Sequence, residues 1–478
     1  MPQRRTDFIR VTDVTPLSVT DRFWVKAAIC FVTIVVAWGS NANPHTVSLT
    51  ILNTVAALFA AFGLVGLRRR RLYQNSATLT LAALFILALP LAQLIPLPSI
   101  PESIAIGHRL GTTPDLVASI TWNWKPISIA PSATASALFG AAIPMAAVML
   151  GHNVPQKHQW YLVSAFVLLG LISGCFGLGR AQGLIAATAN DTRIASAGSL
   201  YGLFIDRDHH VIFLGCMIVL APLTFRIFQN GKYPQGCPGN ERLKSGILVL
   251  SCLIPFSLAA LTGSRTGVAT TLIAMICLPL VIESEENATN SLAYISKIIH
   301  FSARCLMVLA CIGSATAFSL WIVHAPALDR FFEADPALKG GVQTLPDKLN
   351  FIWHYWPFGS GAGSFEKAYL DLYMPGHKGI LHTSIEHIDA FEVLVTGGLT
   401  GLILILSAIS LWLTLAFRVF IIDRPDEAQP LRKAGLIIIA LLAIASLTHS
   451  PMHTPSIAAL FCFAWTWASS PLHRSLAR

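Results

Sequence analysis

Apolar runs of bilayer-crossing length recur from one end of the chain to the other, separated by short charged segments. One crossing needs ~20 residues. Within lipid the backbone must satisfy its own hydrogen bonds, which leaves only helices and closed barrels. These runs are too long and too uniformly apolar for the alternating strands of a barrel. They predict an all-α polytopic membrane protein. The 12% of charged residues falls well below the ~25% usual in soluble domains.

About twelve spans are expected, near 24–40, 47–67, 76–97, 132–150, 160–179, 209–228, 245–263, 267–283, 303–324, 389–420, 434–449 and 455–471. The charged lead-in is long for a cleavable signal, so the first run reads as a retained anchor. Lys and Arg orient the chain by the positive-inside rule. With residues 1–23 as a cytoplasmic tail, inner segments hold 22 of the 33 Lys and Arg. Spans one to nine then occupy 24–324, with outer loops at 98–131 and 180–208. A large periplasmic loop follows at 325–388, spans ten to twelve occupy 389–471, and 472–478 is a second cytoplasmic tail. The net charge of +9 is mostly this topology signal and implies no nucleic-acid partner.

Histidine runs the other way: 11 of 15 fall on outer segments or outer span ends. The loop 325–388 carries Trp353, Tyr355, Trp356, Phe358, Phe365, Tyr369 and Tyr373, too many aromatics for a disordered linker. Within it, 364–374 has helical apolar spacing and is expected to lie over the spans. The nine cysteines fall in spans or on the inner side, and predict neither a disulfide framework nor a CxxC site.

None of the 24 acidic residues is mid-span. A coupled transporter keeps ionisable groups near the midplane, so the pattern points instead to a site at the outer face. Arg180, Arg193, Arg207 and Arg265 sit there against the inside bias. A guanidinium fork suits phosphate oxygens; the plainer alternative is a structural clamp on Asp206, Asp208 or Asp191. The stretch LHTSIEHIDAFE places His387 just before a helix whose first turn holds Asp389 and Glu392. A histidine beside a carboxylate can act as general base, or Asp389 simply caps the helix. His449 and His453 are four apart but flank Pro451, which argues against one shared helix face and against a metal pair. FGSGAGSF, 358–365, reads as a tight turn under the outer loop, since it lacks the lysine and context of a P-loop, or as a source of N–H groups for a phosphate.

Several stretches, in order, resemble the O-antigen ligase-like and polysaccharide polymerase superfamily of integral membrane glycan transferases. They are WKPISIAPSATASAL at 124–138, RIASAGSLYGLFIDRDHHVIFL at 193–214, LTGSRTG at 261–267, WPFGSGAGSF at 356–365 and LTHSPMHTPSIAALF at 447–461. The stretch from His387 is similar to the family's His-Asn-Asp-x-x-Glu and Gly-x-x-Gly, matching at His387, Asp389, Glu392, Gly398 and Gly401. Asp206, Asp208 and Ile388 stand where the family has asparagine. The likeness covers about 120–465.

This resemblance implies a GT-C-like helical fold in a bacterial inner membrane, with both termini cytoplasmic and a periplasmic active site. It implies a metal-independent inverting glycosyltransferase without cofactor. The donor would be an undecaprenyl-pyrophosphate-linked oligosaccharide. The acceptor would be a lipid-linked repeat for a polymerase of O-antigen or exopolysaccharide, or the lipid A core of lipopolysaccharide for a ligase. Membrane lipids, a chain-length regulator and a flippase are the further partners it suggests. Arg180, Arg193, Arg207, His209 and Arg265 would bind the pyrophosphate, and His387, Asp389 and Glu392 would serve catalysis. A flippase or permease for the same lipid, and a non-enzymatic assembly partner, remain the alternatives of another class.

Overall fold

A computed structural model describes residues 18–40, 47–70, 76–98, 124–181, 202–204, 206–229, 264–282, 345–373, 388–423 and 428–470. The expected spans 245–263 and 303–324 lie outside them.

Among the described residues the fold is helical apart from one small ribbon. In chain order come α1 (Val19–Ile34), α2 (Val47–Arg70), α3 (Ser76–Leu94), α4 (Pro131–Gly140), α5 (Ala142–Asn153), α6 (Gln159–Ala181) and α7 (Arg207–Gln229). Then follow α8 (Arg265–Ile282), α9 (Leu345–His354), α10 (Phe365–Tyr373), α11 (Asp389–Phe417), α12 (Gln429–Ala445) and α13 (Pro455–Ala468). The ribbon pairs Pro96–Pro98 with Trp124–Pro126 in antiparallel register. Among the described residues five helical segments are long and apolar enough to cross a membrane: Val19–Gly39, Val47–Leu67, Pro131–Asn153, Gln156–Gly177 and Asp389–Ile422. The first helix starts at Val19, ahead of the expected boundary, because Ser18 caps it through the Asp21 N–H at 3.1 Å.

The main core is a bundle of α1, α2, α5, α6, α7, α8, α12 and α13, filled by residues such as Phe31, Phe166, Phe213, Phe463 and Trp467. Helix α12 packs on α13, α8 and α7. A second core sits beside it. Phe351 and Tyr355 of α9 meet Phe365, Ala368 and Tyr369 of α10 and Val395 of α11. The described part of the aromatic loop, 345–373, is therefore folded, and its short helix spans Phe365–Tyr373, as the apolar spacing predicts.

Helix α11 is broken at Gly398, whose φ of 55° and ψ of −135° are not helical. The break frees backbone groups that lipid cannot satisfy. The glycine-rich turn after α9 satisfies them. Leu399 N–H donates to Pro357 C=O at 2.8 Å, while Ser360 and Gly361 N–H donate to the Val395 and Thr396 carbonyls, each at 3.0 Å. Gln93 of α3 closes the join: its amide donates to Thr396 C=O and accepts from Ala362 N–H, both at 2.7 Å. At Gly359, with φ of 78°, an added Cβ would overlap the Thr396 carbonyl. FGSGAGSF is thus a turn, built to enter a helix break.

Candidate active site

Three helices begin at one end of the bundle. Arg207 is the first residue of α7, and Asp206 caps that helix by accepting from Asp208 N–H at 2.8 Å. Arg265 is the first residue of α8, which Ser264 caps by accepting from Gly267 N–H at 2.9 Å. Asp389 opens α11 after Ile388, which has no side chain able to cap. The start of α11 instead uses its neighbour: Asp389 N–H donates to His449 C=O and Ala390 N–H to Ser446 C=O, each at 3.2 Å. Helix N-termini carry partial positive charge, so this end combines that field with two guanidiniums.

The turn between α12 and α13 ties the three starts together. His449 Nε2 lies 2.7 Å from Thr266 Oγ1 on α8. Thr454 Oγ1 lies 2.7 Å from His209 Nδ1 on α7. Asp389 Oδ2 accepts from Ser446 Oγ at 2.9 Å and from Met452 N–H at 3.0 Å. Asp389 therefore does not cap its own helix, the plainer alternative above; its carboxylate is drawn to the adjoining turn by two donors.

His453 completes the group. Its Nε2 is 3.1 Å from Glu392 Oε2 and 3.7 Å from Asp389 Oδ1. The carboxylate side chains are buried, at 10% and 11% accessible, while the ring is 47% accessible. Burial pulls the ring's pKa down, but the charge and hydrogen bond of Glu392, then the charge of Asp389, outweigh it and raise the ring to about 9. His453 is thus an imidazolium at neutral pH, and it meets two buried acids.

The same first turns of α11 also reach the aromatic core. Phe391 stands 5.8 Å from Phe351 and 5.7 Å from Phe365, ring centre to ring centre, with the Lys348 ammonium 6.0 Å from its own. One face of α11 carries the acids to His453, and the other carries Phe391 and Val395 into the loop.

Of the residues expected from sequence, Asp389 and Glu392 are neighbours of one charged group, and His209 joins them through Thr454. Arg207 lies 3.9 Å from Asp208 through its Nε, the loose end of an ion pair. Arg265 is exposed. Arg180 falls in the last turn of α6. Arg193 and His387 lie outside the described residues. His453 is the residue that sequence reasoning passed over. As Pro451 predicts, His449 and His453 share no helix face: Pro451–His453 is a 3-10 turn, and the two rings reach different helices. His210, next to His209, is buried with its ring stacked on Phe204 at 5.4 Å, a packing role. Among the described residues no group of three or more His, Cys, Asp or Glu is arranged to hold a metal.

No protein-family model and no curated protein matches this chain.

Proposed function

We propose that this membrane protein is a glycosyltransferase that joins an undecaprenyl-pyrophosphate-linked glycan to an acceptor sugar at the periplasmic face, as a polymerase of O-antigen or exopolysaccharide. One observation carries the reading. Four stretches, 193–214, 261–267, 387–401 and 447–461, are separated by tens of residues in the chain. Their residues His209, Thr266, Asp389, Glu392, His449 and His453 are joined through the α12–α13 turn by hydrogen bonds and ion pairs beside three helix starts, the first of which carries Arg207.

In this reading Arg207 and Arg265 hold the pyrophosphate, with Arg180 and Arg193 as further candidates. The acceptor hydroxyl attacks the anomeric carbon from the face opposite the pyrophosphate. A carbon–oxygen bond forms to the acceptor as the bond to the pyrophosphate breaks, and the configuration inverts. The hydroxyl proton passes to His387, with Asp389 and Glu392 anchoring the helix that follows it. The guanidiniums and helix starts stabilise the charge that builds on the departing pyrophosphate, a term worth several kcal/mol in comparable sites. Trp353, exposed on α9, offers a face for a sugar.

The reading is tested by deleting the gene in the native host and resolving surface and lipid-linked glycans on one gel. Loss of the long ladder, with a single repeat still on its acceptor, is the expected result. Loss of every repeat from the lipid A core, with finished polymer left on the carrier, would assign ligase instead. Unchanged glycans would end both. With purified protein, Arg265→Ala is expected to lower kcat/KM by about 100-fold, and retention of wild-type donor binding would remove that residue from the pyrophosphate site.

A further inference from the structure

The α12–α13 turn sets the His453 ring in front of two buried acids. Both face the same nitrogen, at 3.1 Å and 3.7 Å. A carboxylate oxygen only accepts, so Nε2 carries the hydrogen between them. The ring is also the accessible member of the trio.

Other charged groups stand at the neighbouring helix starts. Asp206, Arg207, Asp208 and His209 stand at the start of α7, Arg265 at the start of α8, and His449 at the end of the α12 turn. His209 is close enough to Asp206, Asp208, His449 and His453 to feel each of them. The three helix starts carry four carboxylates, at 206, 208, 389 and 392, and two guanidiniums, at 207 and 265. Left so, the excess charge is negative, the wrong sign for a pyrophosphate.

We infer that His453 is a positioning residue for glycosyl transfer: as an imidazolium it clamps Glu392 and Asp389 to the α12–α13 turn, sets the first turn of α11 against the helix ends bearing Arg207 and Arg265, and cancels part of the negative charge that an incoming pyrophosphate meets. The inference rests on the transferase reading above. It gives His453 work that is neither proton abstraction nor metal binding. A ring held charged through neutral pH cannot take the acceptor's proton, so the base lies elsewhere.

The pH dependence follows from the sign of the shift. The folded pKa is above the ordinary value of 6.5, at about 9. The clamp is therefore complete below about 6.5 and is lost as pH rises through about 9. Above that point two buried acids lose their shared counter-charge.

The test uses full-length protein in lipid nanodiscs, with lipid-linked glycan extracted from the native host as donor, from about pH 6 to about pH 10. His453→Gln is expected to lower kcat/KM by about tenfold or more, chiefly through the donor KM, as loss of one partner of a charge pair does. Wild type is expected to lose activity as pH rises through about 9, and the variant to lack that fall. His453→Arg keeps a charge that does not titrate, and should restore most turnover and hold it past that pH. Melting of both variants, read in parallel, separates misfolding from loss of the clamp. A Gln variant within twofold of wild type overturns the inference, and so does a folded Arg variant no better than Gln. Wild-type protein inert towards the donor would sink the transferase reading itself, whereas active wild type with an indifferent Gln variant sinks the role of His453 alone.

Discussion

Helix α11 runs through two different surroundings, and the change comes at Gly398. Before it, Asp389 and Glu392 are held to the α12–α13 turn, Phe391 and Val395 are packed into the aromatic loop, and the Thr396 carbonyl takes hydrogen bonds from Gln93 and Gly361. After it, Leu399, Ile403, Leu406, Ile409, Leu413 and Phe417 are exposed along the helix. Only 6% of the most apolar stretch of this helix is buried within the protein. The two parts obey different rules. Lipid accepts any apolar side chain, so hydropathy sets most of the second part, beside the Trp412 N–H that donates to Leu436 C=O at 3.0 Å. The first part is set by particular partners, each of which can be removed.

The sharpest way to break the contrast is to straighten the helix. Gly398 has a backbone conformation closed to other residues, and a Cβ there would overlap the Pro357 carbonyl and stand 2.6 Å from Gly359 N. Gly398→Val is expected to cost more than about 3 kcal/mol, because strain and overlap add. The melting midpoint and the monodisperse fraction on gel filtration measure it. A Val variant as stable as wild type would mean that the break is not required and the loop can dock on a continuous helix.

Gln93 gives a smaller effect at the same joint. Gln93→Ala strands the Ala362 N–H, but Thr396 C=O keeps its bond from Gly361. The expected loss is about 1–2 kcal/mol, that of one buried donor left unpaired. Gln93→Glu keeps the acceptor for Ala362 and gives up the donor to Thr396, so it separates the two bonds. Equal melting of wild type and Gln93→Ala would show that the loop seats without α3.

The same contrast explains what could be read from the chain. The expected spans 47–67, 160–179 and 389–420 correspond to α2, α6 and α11, since a long apolar run has one solution in lipid. The helix at 365–373 was equally legible, because its spacing of aromatics is local. The break at Gly398 was not. The Gly398–Gly401 pair stood out only as a family-like pattern, and no neighbour in sequence says that a glycine in a span will take positive φ. The site divides likewise. Asp389 and Glu392 share one turn and could be picked together. His453 is 61 residues beyond Glu392, and only the packing of α12 and α13 on α11 brings it there. Helical spacing, the measure applied to His449 and His453, does not describe a turn that reaches different helices with each of them.

The smallest expected effect sharpens the comparison most. Leu406 is 56% exposed on the second part of α11, and Val395 on the first part is 0% exposed. In a protein core, removing a large side chain leaves a cavity that neighbours only partly fill, and costs ~2–5 kcal/mol for Leu→Ala. Against lipid there is no fixed neighbour, and acyl chains close around the smaller residue. Leu406→Ala is therefore expected to change stability by less than about 0.5 kcal/mol, as surface substitutions away from special contacts do. Val395→Ala removes fewer atoms, yet it empties space between α9, α10 and α11, and is expected to cost about 1–2 kcal/mol. Melting of the two variants in nanodiscs compares them directly. The smaller deletion should do the greater damage. If Leu406→Ala proves the more harmful, protein rather than lipid covers that face, and Gly398 does not divide the helix between two solvents.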